Sequence, residues 1–276
     1  MSLTHKILRK PFFGRFEVPW IWPNDIAQSD WERVSFQSGN GANLQGLWGA
    51  AVSDSEVAGN ATATLVLAHP MGKAAKGFWL RYGHADLFRQ AGFNVLVFDA
   101  NGFGESQGKS FDYPADILAA GIWAQRRHPQ LPVGLIGASF GAAWGLCSLA
   151  REGSPYQAAV LEAAFPTLPD FWKHYPIANA AIRMSQVVWP SLERNLRPER
   201  QAALVKGNPS VLLIHGDADI YTPPHYGERL QRAFGAAAKT ELMVLPGVDH
   251  TFAYRDAADA YSARVIPFLN EALLRV

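Results

Sequence analysis

VGLIGASFGAAWGLCSLA, from Val133 to Ala150, changes texture twice within one short run. VGLI is an unbroken apolar stretch, as expected of a strand buried on both faces. GASFG, Gly137 to Gly141, fits Gly-x-Ser-x-Gly. AAWGLCSLA then reads as a helix. A strand, a sharp turn and a helix in that order put Ser139 in a strained backbone conformation at the edge of a sheet. Glycines at 137 and 141 keep the neighbouring backbone clear. The N–H of Phe140 opens the helix beside the positive end of its dipole, so it is a candidate donor to an oxyanion.

A second stretch, GESQG from Gly104 to Gly108, fits the same pattern. It lies inside DANGFGESQGKSF, a glycine-rich loop with no helix opening behind Ser106. Tight turns, with Ser106 and Asp99 hydrogen-bonded to backbone, account for it. GFGES is also too short for a dinucleotide-binding glycine run and opens no helix.

Outward from Ser139 the pattern repeats. Apolar runs at 62–68, 94–98, 133–136, 158–162, 210–215 and 241–245 alternate with helical stretches such as HADLFRQAG, PADILAAGIWAQRRH and PHYGERLQRAFG. This predicts an α/β fold, a mostly parallel central sheet with helices on both faces. Trp31–Gln37 and Asn43–Ala51, joined by SGNGAN, predict a hairpin ahead of it. Active groups in such sheets stand on loops past the C-terminal strand ends.

Residues 165–206 break the rhythm. FPTLPDFWKHYPIANAAIRMSQVVWPSLERNLRPER is rich in aromatics and prolines and holds no clear strand. It predicts a small helical cap inserted into a core of residues 31–164 and 207–276. Its candidate pocket walls are Phe171, Trp172, Tyr175, Met184, Val188 and Trp189. Residues 1–30 form an N-terminal arm, basic and aromatic (Lys6, Arg9, Lys10, Phe12, Phe13, Trp20). Packing across the domain is the expectation for it, and peripheral contact with a membrane surface the alternative.

Composition narrows the function. Over 276 residues the chain is 49% hydrophobic and 18% charged, which suits a globular domain and not a disordered one. A net charge of +1 supplies no global field for nucleic acid. No apolar run approaches the roughly 18 residues of a membrane span. Cys147 is the lone cysteine, so no intrachain disulfide forms. That fits a reducing compartment, and a cytoplasmic location is expected. No metal site and no cofactor are expected.

A serine hydroxyl needs a base with a pKa near 7, and the base needs a carboxylate to fix its tautomer. Two loops follow late strands: HGDADIYTPP after the run at 210–215, and PGVDHTF after the run at 241–245. His250 is the only histidine of the second loop and the last in the chain. His69 and His215 sit at strand ends and read as structural. Asp217, Asp219 and Glu162 are the candidate acids.

Taken together, GASFG on its strand–turn–helix, HGDADIYTPP and the terminal His250 loop resemble the α/β-hydrolase superfamily. More narrowly, they resemble its serine-hydrolase branch of esterases and acylaminopeptidase-like enzymes. The resemblance runs from about Trp31 to the C-terminus and places the insertion where that family carries a cap. It implies Asp219 as the acid. It also implies a second oxyanion donor, the backbone N–H of Met71, in HPMGKAAKGFW after the first parallel strand. Pro70 stands where the family usually has glycine, and Asn101 where it often has arginine. Branches with an aspartate nucleophile are disfavoured by Ser139. The implied function is a serine hydrolase that cleaves small-molecule carboxylic esters through an acyl-enzyme with Ser139, His250 and Asp219. A thioesterase, an amidase or peptidase, or an acyltransferase using the same residues is the near alternative. A non-catalytic binding protein on the same fold is the distant one.

Overall fold

The computed structural model describes residues 22, 25–52, 61–188, 190 and 196–274. The arm at 1–21 and Trp189 lie outside these described residues.

Eight strands form one sheet: β1 (Glu32–Gln37), β2 (Asn43–Gly49), β3 (Ala63–Ala68), β4 (Phe93–Phe98), β5 (Val133–Ala138), β6 (Tyr156–Glu162), β7 (Ser210–Gly216) and β8 (Lys239–Leu245). Their spatial order is β1-β2-β4-β3-β5-β6-β7-β8. β1 and β2 pair antiparallel, as does β2 with β4, and every other pairing is parallel. The burial patterns explain the textures read above. β1 alternates, while β3, β4 and β5 are buried at every residue, because helices cover both of their faces.

Helices α1 (Gly77–Arg81) and α2 (His84–Gln90) follow β3, and α3 (Tyr113–Arg127) follows β4. After β5 comes α4 (Phe140–Leu149), followed by α5 (Leu168–Phe171), α6 (Pro176–Val188), α7 (Pro198–Ala202), α8 (Pro224–Phe234), α9 (Ala253–Asp256) and α10 (Ala258–Leu273). Proline sits in the first turn of α3, α5, α7 and α8, where its fixed φ suits the helix and its missing N–H costs nothing. One face of the sheet packs on α3, α4 and α8 through Ile117, Trp144 and Leu230. The other packs on α1, α2 and α10 through Trp79, Phe88 and Val265.

Residues 165–206 contain no strand among those described. They do not form one uniform cap. Phe165, Phe171, Ala202 and Val205 are buried in the core beside α4 and α8. α6, by contrast, has no buried residue. The flanks of the insertion thus belong to the packed domain, and the amphipathic helix between them stands out from it.

Candidate active site

The C-terminal ends of β3, β5, β6, β7 and β8 converge on one edge, and strain is concentrated there. Ser139 has φ 52° and ψ −114°. Ala163, just past β6, has φ 55°, and Thr251, past β8, has φ 60°. Non-glycine residues in such conformations persist only where their surroundings over-determine them. For Ser139 those surroundings are visible. Its N–H donates to the carbonyl of Glu162 at 2.8 Å, and its own carbonyl accepts from Ala143 N–H at 2.9 Å. The glycines are needed for approach. A Cβ on Gly141 would run into the carbonyls of Ala68 and His69, and one on Gly137 would lie 2.7 Å from the Cα of Ala142.

His250 Nε2 lies 2.8 Å from Ser139 Oγ, and His250 Nδ1 lies 2.7 Å from Asp219 Oδ2. Asp219 is itself locked. Its Oδ1 accepts from Tyr221 N–H at 2.8 Å and Thr222 N–H at 3.0 Å. Its Oδ2 accepts a short bond from the Thr222 hydroxyl. Burial works against ionising Asp219, but His250 and the Thr222 donors outweigh it and hold the carboxyl below its ordinary range. Asp219 is therefore the fixed anion that orients the ring.

The other two candidate acids are placed differently. Asp217 accepts from Gly247 N–H at 2.6 Å, a loop-to-loop bond. Glu162 is buried, and its Oε1 accepts from Ala253 N–H at 2.9 Å. Ser106 is buried too, with its hydroxyl accepting from Gln45 N–H at 2.9 Å and donating to the Asp99 carbonyl at 2.8 Å. GESQG is thus a turn stapled to β2.

A cavity of about 310 Å3 opens over Ser139 and His250, and Met71 and Phe140 both line it. Five of the six pocket residues expected from the insertion are among the described residues, and of those five Phe171 alone lines the cavity. Trp172 packs edge-on behind Phe171, and Tyr175 stacks parallel to Tyr221 at 6.4 Å. Met184 is 70% exposed and Val188 is 56% exposed. The other aromatic walls are Phe78, Tyr82 and Phe252, from α1, its C-terminal turn and the His250 loop. The signal for Phe78 and Tyr82 was the aromatic run GFWLRY a few residues after Met71, and Phe252 ends the stretch PGVDHTF that holds His250. Among the described residues no carboxylate lines the cavity, and Lys73 is the charged residue at its wall.

The loop that carries Met71 is held by buried polar groups. His69 Nδ1–H donates to the Pro70 carbonyl at 2.8 Å, and its Nε2 accepts from Ala100 N–H at 3.1 Å. Lys76 is buried, with Nζ 2.6 Å from both Asp99 Oδ2 and Glu105 Oε2. Asn101, where arginine is usual in the resembled family, donates from Nδ2 to Asp116 at 2.6 Å. Burial pushes the Asp116 carboxyl up to about 6 despite these bonds.

Comparison with known proteins agrees with this architecture. A family profile described as "Serine aminopeptidase, S33" matches residues 59–209, and one described as "TAP-like protein" matches residues 175–274. The chain belongs to the α/β-hydrolase superfamily. Among relatives of this α/β hydrolase, the Escherichia coli K12 protein YfhR is 30% identical over 251 residues, covering 88% of this chain and 81% of YfhR. The human protein ABHD12B is 28% identical over 183 residues, covering 58% and 48%. Among solved structures, the Pyrococcus furiosus esterase Pf2001 superposes with a TM-score of 0.73 at 18% identity, over 93% of this chain and 98% of that one. The Pyrococcus horikoshii acylaminoacyl peptidase gives 0.64 at 14% identity, over 89% and 42%. At these identities the structural likenesses speak for the fold.

Proposed function

We propose that this α/β hydrolase cleaves carboxylic esters through an acyl-enzyme on Ser139. The observation that carries the reading is the unbroken relay from Asp219 Oδ2 through His250 to Ser139 Oγ, with contacts of 2.7 and 2.8 Å, at a strained elbow facing the cavity. Ser139 Oγ attacks the substrate carbonyl carbon while its proton passes to His250 Nε2. Asp219 stabilises the imidazolium through Nδ1–H. The N–H groups of Met71 and Phe140 meet the oxyanion. Collapse of the intermediate breaks the bond to the alcohol oxygen, which takes the proton from His250. Water then attacks the acyl carbon, gives a proton to the same Nε2, and releases the acid as Ser139 recovers its hydrogen. Phe78, Phe171 and Phe252, with no lining carboxylate, favour an apolar acyl or alcohol group.

A panel of p-nitrophenyl esters, matched thioesters and anilides of increasing chain length tests this. Esters are expected to turn over fastest, with release of p-nitrophenol. Faster turnover of thioesters or anilides would move the assignment to a thioesterase or amidase. No turnover of any would favour a binding protein.

A further inference from the structure

Glu162 ends β6 and makes two bonds that face in different directions. Its carbonyl accepts from the N–H of Ser139, and its side-chain Oε1 accepts from the N–H of Ala253. Ala253 begins α9, three residues after His250 and one after the cavity wall Phe252. A single residue thus holds the nucleophile's backbone with one atom and the histidine loop with another. The setting is rigid. Ala163 next to it is at φ 55° and is itself tied to the carbonyl of Ile214 on β7.

We infer that Glu162 is a positioning residue that fixes the His250 loop against Ser139 and couples its own charge to the imidazole. This rests on the hydrolase reading above. Two observations set it apart from ordinary core packing. Glu162 is 4% exposed, and its second carboxylate oxygen, Oε2, has no hydrogen-bond partner among the described residues. A carboxylate kept there for packing alone would be better replaced by glutamine or leucine. The groups acting on it are few. Burial pushes its carboxyl up to about 7. Ala253 N–H and the charge of His250 pull the other way, and Asp219 adds to the rise. From α10, Tyr261 faces it, with a buried hydroxyl that is also unpartnered. His215 on β7 is engaged elsewhere, with Nδ1 2.9 Å from the Thr222 carbonyl. The ionisation of Glu162 therefore falls in the pH range where a histidine base changes state.

The consequence has a sign. An ionised Glu162 stabilises imidazolium at His250, the inactive form of the base. Glu162→Gln keeps an oxygen for Ala253 N–H and removes the charge. Glu162→Ala removes both.

The test is a proton NMR titration of the His250 ring from pH 5 to 9 in the full-length wild type and Glu162→Gln, together with kcat and KM across the same range. The His250 midpoint in Glu162→Gln is expected about half a pH unit or more below that of the wild type, with the acid limb of kcat/KM moving alongside it. Its kcat at pH 8 is expected within about threefold of wild type. Glu162→Ala is expected to lose about 10- to 100-fold in kcat with KM little changed, since a misplaced base slows chemistry more than binding. Superimposable His250 titrations in wild type and Glu162→Gln would overturn the inference, even if Glu162→Ala fails to fold. So would wild-type kcat in a folded Glu162→Ala. Failure of the hydrolase reading is a separate result, because the titration needs no turnover.

Discussion

Lys76→Met tests whether the loop that carries Met71, the proposed oxyanion donor, is held by buried charge. Lys76 and Asp99 have side chains 0% exposed and lie 2.6 Å apart, with Glu105 on the other side of the ammonium. Methionine keeps most of the side-chain stem and removes the charge. Breaking one partner of a buried pair costs about 3–5 kcal/mol, because the remaining charge is stranded. Asp99 keeps two backbone donors, Lys76 N–H and Glu105 N–H, both at 2.9 Å. The lower end, about 3 kcal/mol, is therefore expected. For a domain of 276 residues that lowers Tm by about 5 °C. The function should follow. Lys76 anchors the segment that runs back to Met71, and loss of one well-placed oxyanion donor is worth about 100- to 1000-fold in kcat. Partial displacement predicts a fall of about tenfold, with KM less affected. Calorimetric melts at pH 8 and steady-state kinetics on one short ester read both effects. Lys76→Met/Asp99→Asn should recover part of the lost Tm, because the stranded charge is gone. A single variant melting within 1–2 °C of wild type, with unchanged kcat, would refute the argument.

Other outcomes follow from single contacts. His84 is buried among Phe78, Trp79, Tyr254 and Tyr261 with both ring nitrogens unpartnered, and burial pushes its pKa down to about 3. The folded state therefore binds fewer protons than the unfolded one between about pH 6.5 and 3, so stability drains as pH falls through that window, by about 5 kcal/mol in all. His84→Phe should flatten this slope in urea unfolding measured at pH 7, 5 and 4, and an unchanged slope would count against it. Thr222→Val removes the hydroxyl that bonds Asp219 Oδ2 and stands 3.4 Å from His250 Nδ1. It should lower kcat about 3- to 30-fold at unchanged KM, which pre-steady-state acylation rates would reveal. Phe78→Ala should shift chain-length preference more than Met184→Ala, since Phe78 lines the cavity and Met184 is solvent-exposed; esters of two to twelve carbons would show the reverse if α6 closes over the substrate.

The sheet was legible because its inner parallel strands are buried on both faces and so read as apolar runs. Even β8, on the sheet edge with only Leu245 buried, stood out through ELMVL. The elbow was legible for a different reason. Gly137 and Gly141 face backbone too closely for any side chain, and that demand leaves a mark in the sequence. The walls of the pocket were not legible. Aromatic content marks burial without saying against what, so the aromatics of the insertion and those of α1 look alike until the fold orients them. Phe171 faces the cavity, while Met184 and Val188 face solvent on the same insertion. Thr222 was missed because its role comes from a local turn, in which Asp219 accepts the N–H groups two and three residues on and gains the hydroxyl with them. The Lys76 ion cluster joins loops after β3 and β4 that are distant in sequence, and no spacing rule connects them.

The proposed chemistry requires that Ser139, and not Ser106, is the nucleophile of a serine hydrolase. Incubating the full chain with a fluorophosphonate probe and mapping the adduct by peptide mass spectrometry tests it directly. One stoichiometric adduct on Ser139 is expected, abolished in Ser139→Ala and retained in Ser106→Ala. Ester turnover should fall by about four to six orders of magnitude in the first variant and stay near wild type in the second. An adduct on Ser106, or a Ser139→Ala enzyme that still labels and turns over, would contradict it.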